Sequence, residues 1–135
     1  MTVKVLIVDD NEAFLLAARE VVAATEGFEV VGEAESGEDS LEAARSLHPD
    51  LVLMDVQLPG MDGLDASRRI RSELADVVVF LLSTYDRADF ESRMGSSRAN
   101  AFIAKETFGP ISLAAAWKKS SQQGRDSAKR GSAIS

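Results

Sequence analysis

Asp9 and Asp10 close the apolar run VKVLIV, Asp55 ends LVLMD, Ser83 with Thr84 behind it ends VVVFLLS, and Lys105 follows NAFIA. Each is a polar group at the end of a run too apolar for a surface loop. Adjacent carboxylates about 4 Å apart repel by about 1 to 4 kcal/mol, depending on the local dielectric. Neither enters a core unpaired. Three that meet need a cation or raised pKa values. The chain has no cysteine, and its single histidine, His48, lies beside Pro49 in an expected loop as a bystander. An oxygen-only donor set of this kind suits Mg²⁺, which takes a few carboxylates and keeps waters for an incoming phosphate.

These groups can meet only if the elements behind them bring the run ends together. Val3–Val8, Phe28–Glu33, Leu51–Asp55, Val77–Ser83 and Asn100–Ala104 read as strands. Val77–Leu82 is apolar throughout, as a strand covered on both faces should be. Helical periods lie between them. Glu12–Ala24 puts Phe14, Ala17, Ala18 and Val21 on one face, with a cap expected near Asn11. Ser36 opens a second helix in a capping-box-like S-x-x-D, with Leu41, Ala44 and Leu47 expected to face inward. Gly63–Leu74 carries Ala66, Ile70 and Leu74, and Asp62 is placed to cap it. Asp86–Ser96 is a weak helix with little apolar stripe, and Pro110–Lys119 closes the domain with Leu113 and Trp117 one turn apart. Five βα units imply a parallel sheet wound with helices on both faces, whose ligands bind beyond the carboxyl ends of the strands. There three carboxylates, a hydroxyl and an ammonium converge.

Composition bounds the rest. At 135 residues, 45% of them hydrophobic and 27% charged, the chain is one globular domain's worth. Its longest apolar run, six residues, is far short of a membrane span, and no secretory leader is visible, so a cytoplasmic location is expected. The net charge is −7, but residues from Lys118 onward carry +4, leaving −11 on residues 1–117. That charge argues against nucleic-acid binding by the body of the domain. Residues 120–135 are polar, small and basic, and read as a flexible tail or a linker. The domain proper is therefore expected over residues 1–119.

The stretches VLIVDDNE, PDLVLMDVQLPGMDG, VVVFLLSTYD and AFIAKE, in this order and at this spacing, resemble a response-regulator receiver domain of two-component signalling. The resemblance covers residues 3 to 117 and implies a flavodoxin-like (βα)5 fold, doubly wound, with strand order 2-1-3-4-5. By resemblance, Asp55 is the phosphoacceptor. Asp10, Asp9 (partly through water), Asp55 and the backbone carbonyl of Gln57 hold Mg²⁺. Ser83 is the switch hydroxyl, Lys105 the phosphate-pairing cation and Phe102 the rotating aromatic, while Thr84 and Tyr85 flank the phosphate. The implied partner is a sensor histidine kinase or phosphotransfer protein, with pairing of two copies on phosphorylation left open. The chemistry agrees, because a carboxylate attacking phosphorus needs charge neutralisation and alignment rather than a base.

The chain also departs from the family pattern. Arg98 and Ala101 stand where relatives often have glycines, and Glu106 follows Lys105 where many have proline. Two other functions are compatible with the same fold. A Mg²⁺-dependent phosphatase working through an aspartyl phosphate would want D-x-D at its nucleophile, but Gln57 stands two residues after Asp55. An interaction scaffold that never takes phosphate would be favoured by loss of Asp55 or Lys105, and both are present.

Overall fold

The computed structural model describes residues 2–84 and 91–121. In chain order the elements are β1 (Val3–Val8), α1 (Glu12–Ala23), β2 (Phe28–Ala34), α2 (Gly37–Leu47), β3 (Leu51–Asp55), α3 (Gly63–Glu73), β4 (Val78–Ser83), α4 (Glu91–Met94) and β5 (Ala101–Ala104). A single 3-10 turn (Lys105–Thr107) follows β5, and residues 110–121 form α5. The strands form one parallel sheet in the order β2-β1-β3-β4-β5. This is the flavodoxin-like arrangement expected.

Side chains alternate along the strands, so each strand feeds two cores. Leu6, Val8, Val52, Met54, Val79 and Leu81 face Leu41 and Ala44 of α2 and Ala66 and Ile70 of α3. Val5, Ile7, Leu51, Leu53, Phe80 and Leu82 face Leu15, Ala18 and Val22 of α1 and Leu113 of α5. In the central strands β1, β3 and β4, residues 5–8, 51–54 and 79–82 are buried on both sides, which explains why they are apolar without a break.

The helices start where capping chemistry places them. Asn11 Oδ1 accepts from the N–H groups of Ala13 (2.9 Å) and Phe14 (3.2 Å). Ser36 Oγ accepts from Asp39 N–H at 3.1 Å, and Asp62 Oδ1 from Asp65 N–H at 2.9 Å. These are the orphan donors of a first helical turn, each met by a short polar side chain. His48 ends α2 in the left-handed conformation (φ 47) and donates its backbone N–H to Ala44 O. Its role is a turn at a helix end.

Several expectations shift. The buried face of α1 is Leu15, Ala18 and Val22, with Ala17 exposed and Phe14 and Val21 only half-buried. The helix is rotated so that Leu15, not Ala17, points at the sheet. Leu47 remains 39% exposed because it caps the rim, lying over Gly32 of edge strand β2 rather than inside the core. Helix α5 continues through residue 121, past the boundary expected at Lys119, and Trp117 packs edge-on against Phe28 at 6.0 Å. The described part of the fourth helix is one turn, Glu91–Met94, while its expected start at Asp86 falls outside the described residues, as do Tyr85 and 122–135.

The segment from Arg93 to Arg98 is tied to α3 by polar contacts instead of an apolar stripe. Arg93 pairs with Asp62 at 2.8 Å and Asp65 at 3.5 Å. Buried Ser67 donates to Ser97 O at 2.8 Å, and Arg71 Nε donates to Arg98 O at 3.2 Å. Arg98 takes φ 60, the conformation for which glycine is the easier residue, and its guanidinium donates to Ser72 Oγ at 3.2 Å.

Candidate functional site

Strand β1 delivers Asp9 to the carboxyl edge of the sheet and leaves it fully buried, while Asp10, one residue on, is exposed. Alternation along the extended chain produces that difference. Strand β3 delivers Asp55, which is 7% exposed. One carboxylate oxygen from each of Asp9, Asp10 and Asp55 lies within 4.8 Å of the others. The three aspartates named from sequence therefore meet.

Asp9 is the best-satisfied member. Its Oδ1 accepts from Asn11 N–H at 2.9 Å, and its Oδ2 lies 2.6 Å from Lys105 Nζ. Asp55 is held more loosely: Oδ1 accepts from Gln57 N–H at 3.2 Å, and Oδ2 is 3.5 Å from Lys105 Nζ. Burial, followed by the neighbouring Asp9 carboxylate, pushes the Asp55 carboxyl up to about 6, with Lys105 and the Gln57 N–H pulling the other way. A carboxylate under such strain is a ready acceptor of further positive charge. The donor set is all oxygen, anionic and reachable through exposed Asp10, so the residues present fit a small hard cation such as Mg²⁺.

Lys105 sits in the turn after β5 with its side chain 12% exposed. Its ammonium also stands 4.3 Å from the ring centroid of Phe14, in the first turn of α1. Ser83 ends β4 half-buried and pairs in register with Ala104, next to Lys105. Thr84 beside it is exposed. Phe102 is half-buried on β5 and packs, like Ala99, against the α2–α3 core.

Where the loop after Asp55 enters α3, Gly63 leaves no room for a side chain. A Cβ on Gly63 would lie 2.0 Å from the Asp55 carbonyl oxygen, while Gly63 N–H donates to Val56 O at 2.8 Å. Gly60 turns the chain at φ 71, and Glu38 of α2 accepts from Met61 N–H at 3.1 Å. Gly63 thus sets how close α3 comes to the acceptor strand, and Glu38 braces the loop from the other side. LPGMDG marks the turn in the sequence, but nothing there signals Glu38, Arg93 or Phe14. Their contacts join positions far apart in the chain.

The family model for the response regulator receiver domain matches residues 5–117. Response regulator GacA of Pseudomonas aeruginosa is 38% identical over 103 residues, 76% of this chain and 48% of GacA. Response regulator protein VraR of Staphylococcus saprophyticus is 35% identical over 107 residues, 79% of this chain and 51% of VraR. The chain thus spans about half the length of these curated relatives. Among solved structures, the signal receiver domain of a NarL response regulator from Mycobacterium tuberculosis superposes with a TM-score of 0.77 at 28% identity, covering 85% of this chain and 96% of that one. A CheY-like receiver domain protein from Methanospirillum hungatei shares the fold, with a TM-score of 0.79 at 24% identity over 93% of this chain and 99% of that one. A match that takes in the carboxyl ends of all five strands covers every group gathered at the sheet edge, and the chain belongs to the family of response regulator receiver domains.

Proposed function

We propose that Asp55 takes a phosphoryl group from the phosphohistidine of a sensor histidine kinase or phosphotransfer protein in the cytoplasm, and that the resulting charge resets the β4–β5 side of the domain. The observation that carries this reading is the Asp55 carboxyl itself. It is buried, raised to about 6, and flanked by two aspartates and a lysine at the exit of a loop with no room for side-chain bulk at Gly63.

An Asp55 carboxylate oxygen attacks phosphorus, the O–P bond forms, the histidine N–P bond breaks, and its electron pair stays on the imidazole nitrogen. Later attack by water releases inorganic phosphate and restores Asp55. Asp10, Asp9, Asp55 and the Gln57 carbonyl are the residues that would hold Mg²⁺. When bound, the ion supplies positive charge that offsets the crowded oxygens of acceptor and phosphoryl group.

Lys105 bonds Asp9 before transfer and has Asp55 within 3.5 Å, so a small shift brings its ammonium to a phosphoryl oxygen. Ser83, across the β4–β5 ladder from Ala104, donates to a second oxygen. Thr84, exposed at the end of β4, flanks the group and limits access of water. Drawing Ser83 and Lys105 inward moves the end of β4 and the neighbouring β5, where Phe102 packs. The altered surface is the one made by α4, β5 and α5. Reversing a 1:99 balance of two such states takes about 5.5 kcal/mol of preference from the phosphoryl group.

Incubation with phosphoramidate and Mg²⁺, followed by intact mass, tests the reading. One phosphoryl group should be gained by the native chain and none by Asp55→Asn. Equal gain in both would reject Asp55 as the acceptor.

A further inference from the structure

We propose that Phe14 is a positioning residue for Lys105, and that its ring face sets where the ammonium stands during phosphoryl transfer. This rests on the reading of Asp55 as acceptor. The Lys105 ammonium lies 2.6 Å from Asp9 Oδ2, 3.5 Å from Asp55 Oδ2 and 4.3 Å from the Phe14 ring centroid. With the side chain only 12% exposed, little water reaches it. A cation stripped of water gains most from an aromatic face.

Phe14 is itself fixed. Its backbone N–H is held by the Asn11 cap at 3.2 Å, and its ring meets Phe108 with centroids 6.1 Å apart and planes at 41°. Phe108 follows the 3-10 turn that begins at Lys105, and its N–H donates to Lys105 O at 3.2 Å. The two rings therefore join the first turn of α1 to the turn that carries the lysine.

An aromatic face suits this task in a way that a further carboxylate does not. A carboxylate would bind the ammonium as strongly as Asp9 does and hold it back from the phosphoryl group. A ring face attracts the cation without a directional hydrogen bond, so the ammonium slides from Asp9 toward Asp55 while staying over the ring. Leucine would fill similar space and offer no such attraction.

The test combines two measurements on the full chain. The first is the rate of phosphoryl uptake from phosphoramidate at saturating Mg²⁺. The second is the exchange of the Lys105 ammonium protons with water, followed by NMR in the metal-free, unphosphorylated protein. Phe14→Tyr keeps the ring face and should match the native rate within about twofold, whereas Phe14→Leu should be roughly five- to tenfold slower. Replacing Phe14 by phenylalanines with one, two and three ring fluorines changes volume little and drains the ring face stepwise. Uptake should fall, and ammonium exchange should rise, in the same steps. A merely structural Phe14 would leave both flat across the fluorinated series, and that result overturns the proposal, as does a Tyr variant as slow as the Leu variant. Should Phe14→Leu fold poorly, the fluorinated series decides alone. Failure of the native chain to take phosphate overturns the acceptor reading and this proposal together. A native chain that takes phosphate, with uptake and exchange flat across the fluorinated series, overturns only the proposal.

Discussion

Lys105 leans on Asp9 more closely than on Asp55, with its Nζ 2.6 Å from one carboxylate and 3.5 Å from the other. The asymmetry places the strongest ion pair of the site on its most buried acid, while the proposed acceptor keeps an unmet appetite for positive charge. Asp9 and Lys105 lie 96 positions apart in the chain, so the pair also fastens the turn after β5 to the end of β1.

Removing the lysine should therefore cost stability as well as signalling. Lys105→Ala leaves the buried Asp9 carboxylate with the Asn11 N–H but without its cation. Loss of one member of a buried pair typically costs about 3 to 5 kcal/mol, and water admitted by the shortened side chain puts this case at about 2 to 3. Urea denaturation in chelator should show that loss in the native background and much less of it in Asp9→Asn. Equal losses in both backgrounds would mean that the pair is not what the lysine contributes.

The raised Asp55 carboxyl makes stability depend on pH with a definite sign. The folded group titrates at about 6 against an ordinary value of 3.8, so the native state binds this proton more tightly than the unfolded chain does. Stability should fall as pH rises from about 4 to about 6, with the full penalty present above that range. Asp55→Asn is neutral throughout and should remove this slope, gaining on the order of 2 kcal/mol at pH 7 in metal-free buffer. Parallel curves for the two proteins from pH 4 to 7 would contradict the assignment.

Much of this was legible in the sequence because strand ends in a parallel α/β sheet lie on one edge, so residues read after each apolar run are brought together. Asp9, Asp10, Asp55 and Lys105 needed no more than that. The α1 face was misread because Phe14 and Ala17 fit a helical stripe nearly as well as Leu15 and Val22, and only the sheet's position chooses between them. Leu47 was misread because an apolar residue at a helix end can cover an edge-strand glycine without entering the core. The Arg93–Asp62 tie and the Phe14 contact join distant side chains by geometry alone, and periodicity carries no trace of either.

Mg²⁺ should raise the melting temperature of the unphosphorylated protein by mass action. Asp10 is exposed, so Asp10→Ala should keep the fold while losing the Mg²⁺-dependent rise in a thermal scan. An undiminished rise in that variant would place the ion elsewhere.

The two hydroxyls at the end of β4 should separate cleanly. Ser83 is half-buried and Thr84 exposed. Ser83→Ala removes a hydrogen bond to a charged phosphoryl oxygen, worth about 1.5 to 3 kcal/mol in the phosphorylated state. It should still take phosphate but show little change in amide chemical shifts near Phe102. Thr84→Ala should keep the shift change and speed hydrolysis. The reverse pattern would exchange their roles.

The most direct measurement locates the phosphoryl group chemically. Borohydride reduces an acyl phosphate to an alcohol, turning a phosphorylated aspartate into homoserine, and peptide mass spectrometry then reads its position. After treatment with phosphoramidate and Mg²⁺, homoserine should be found at position 55 and not at positions 9 or 10. Homoserine at either of those positions, or none at position 55 in a chain that has gained phosphate, would contradict the account.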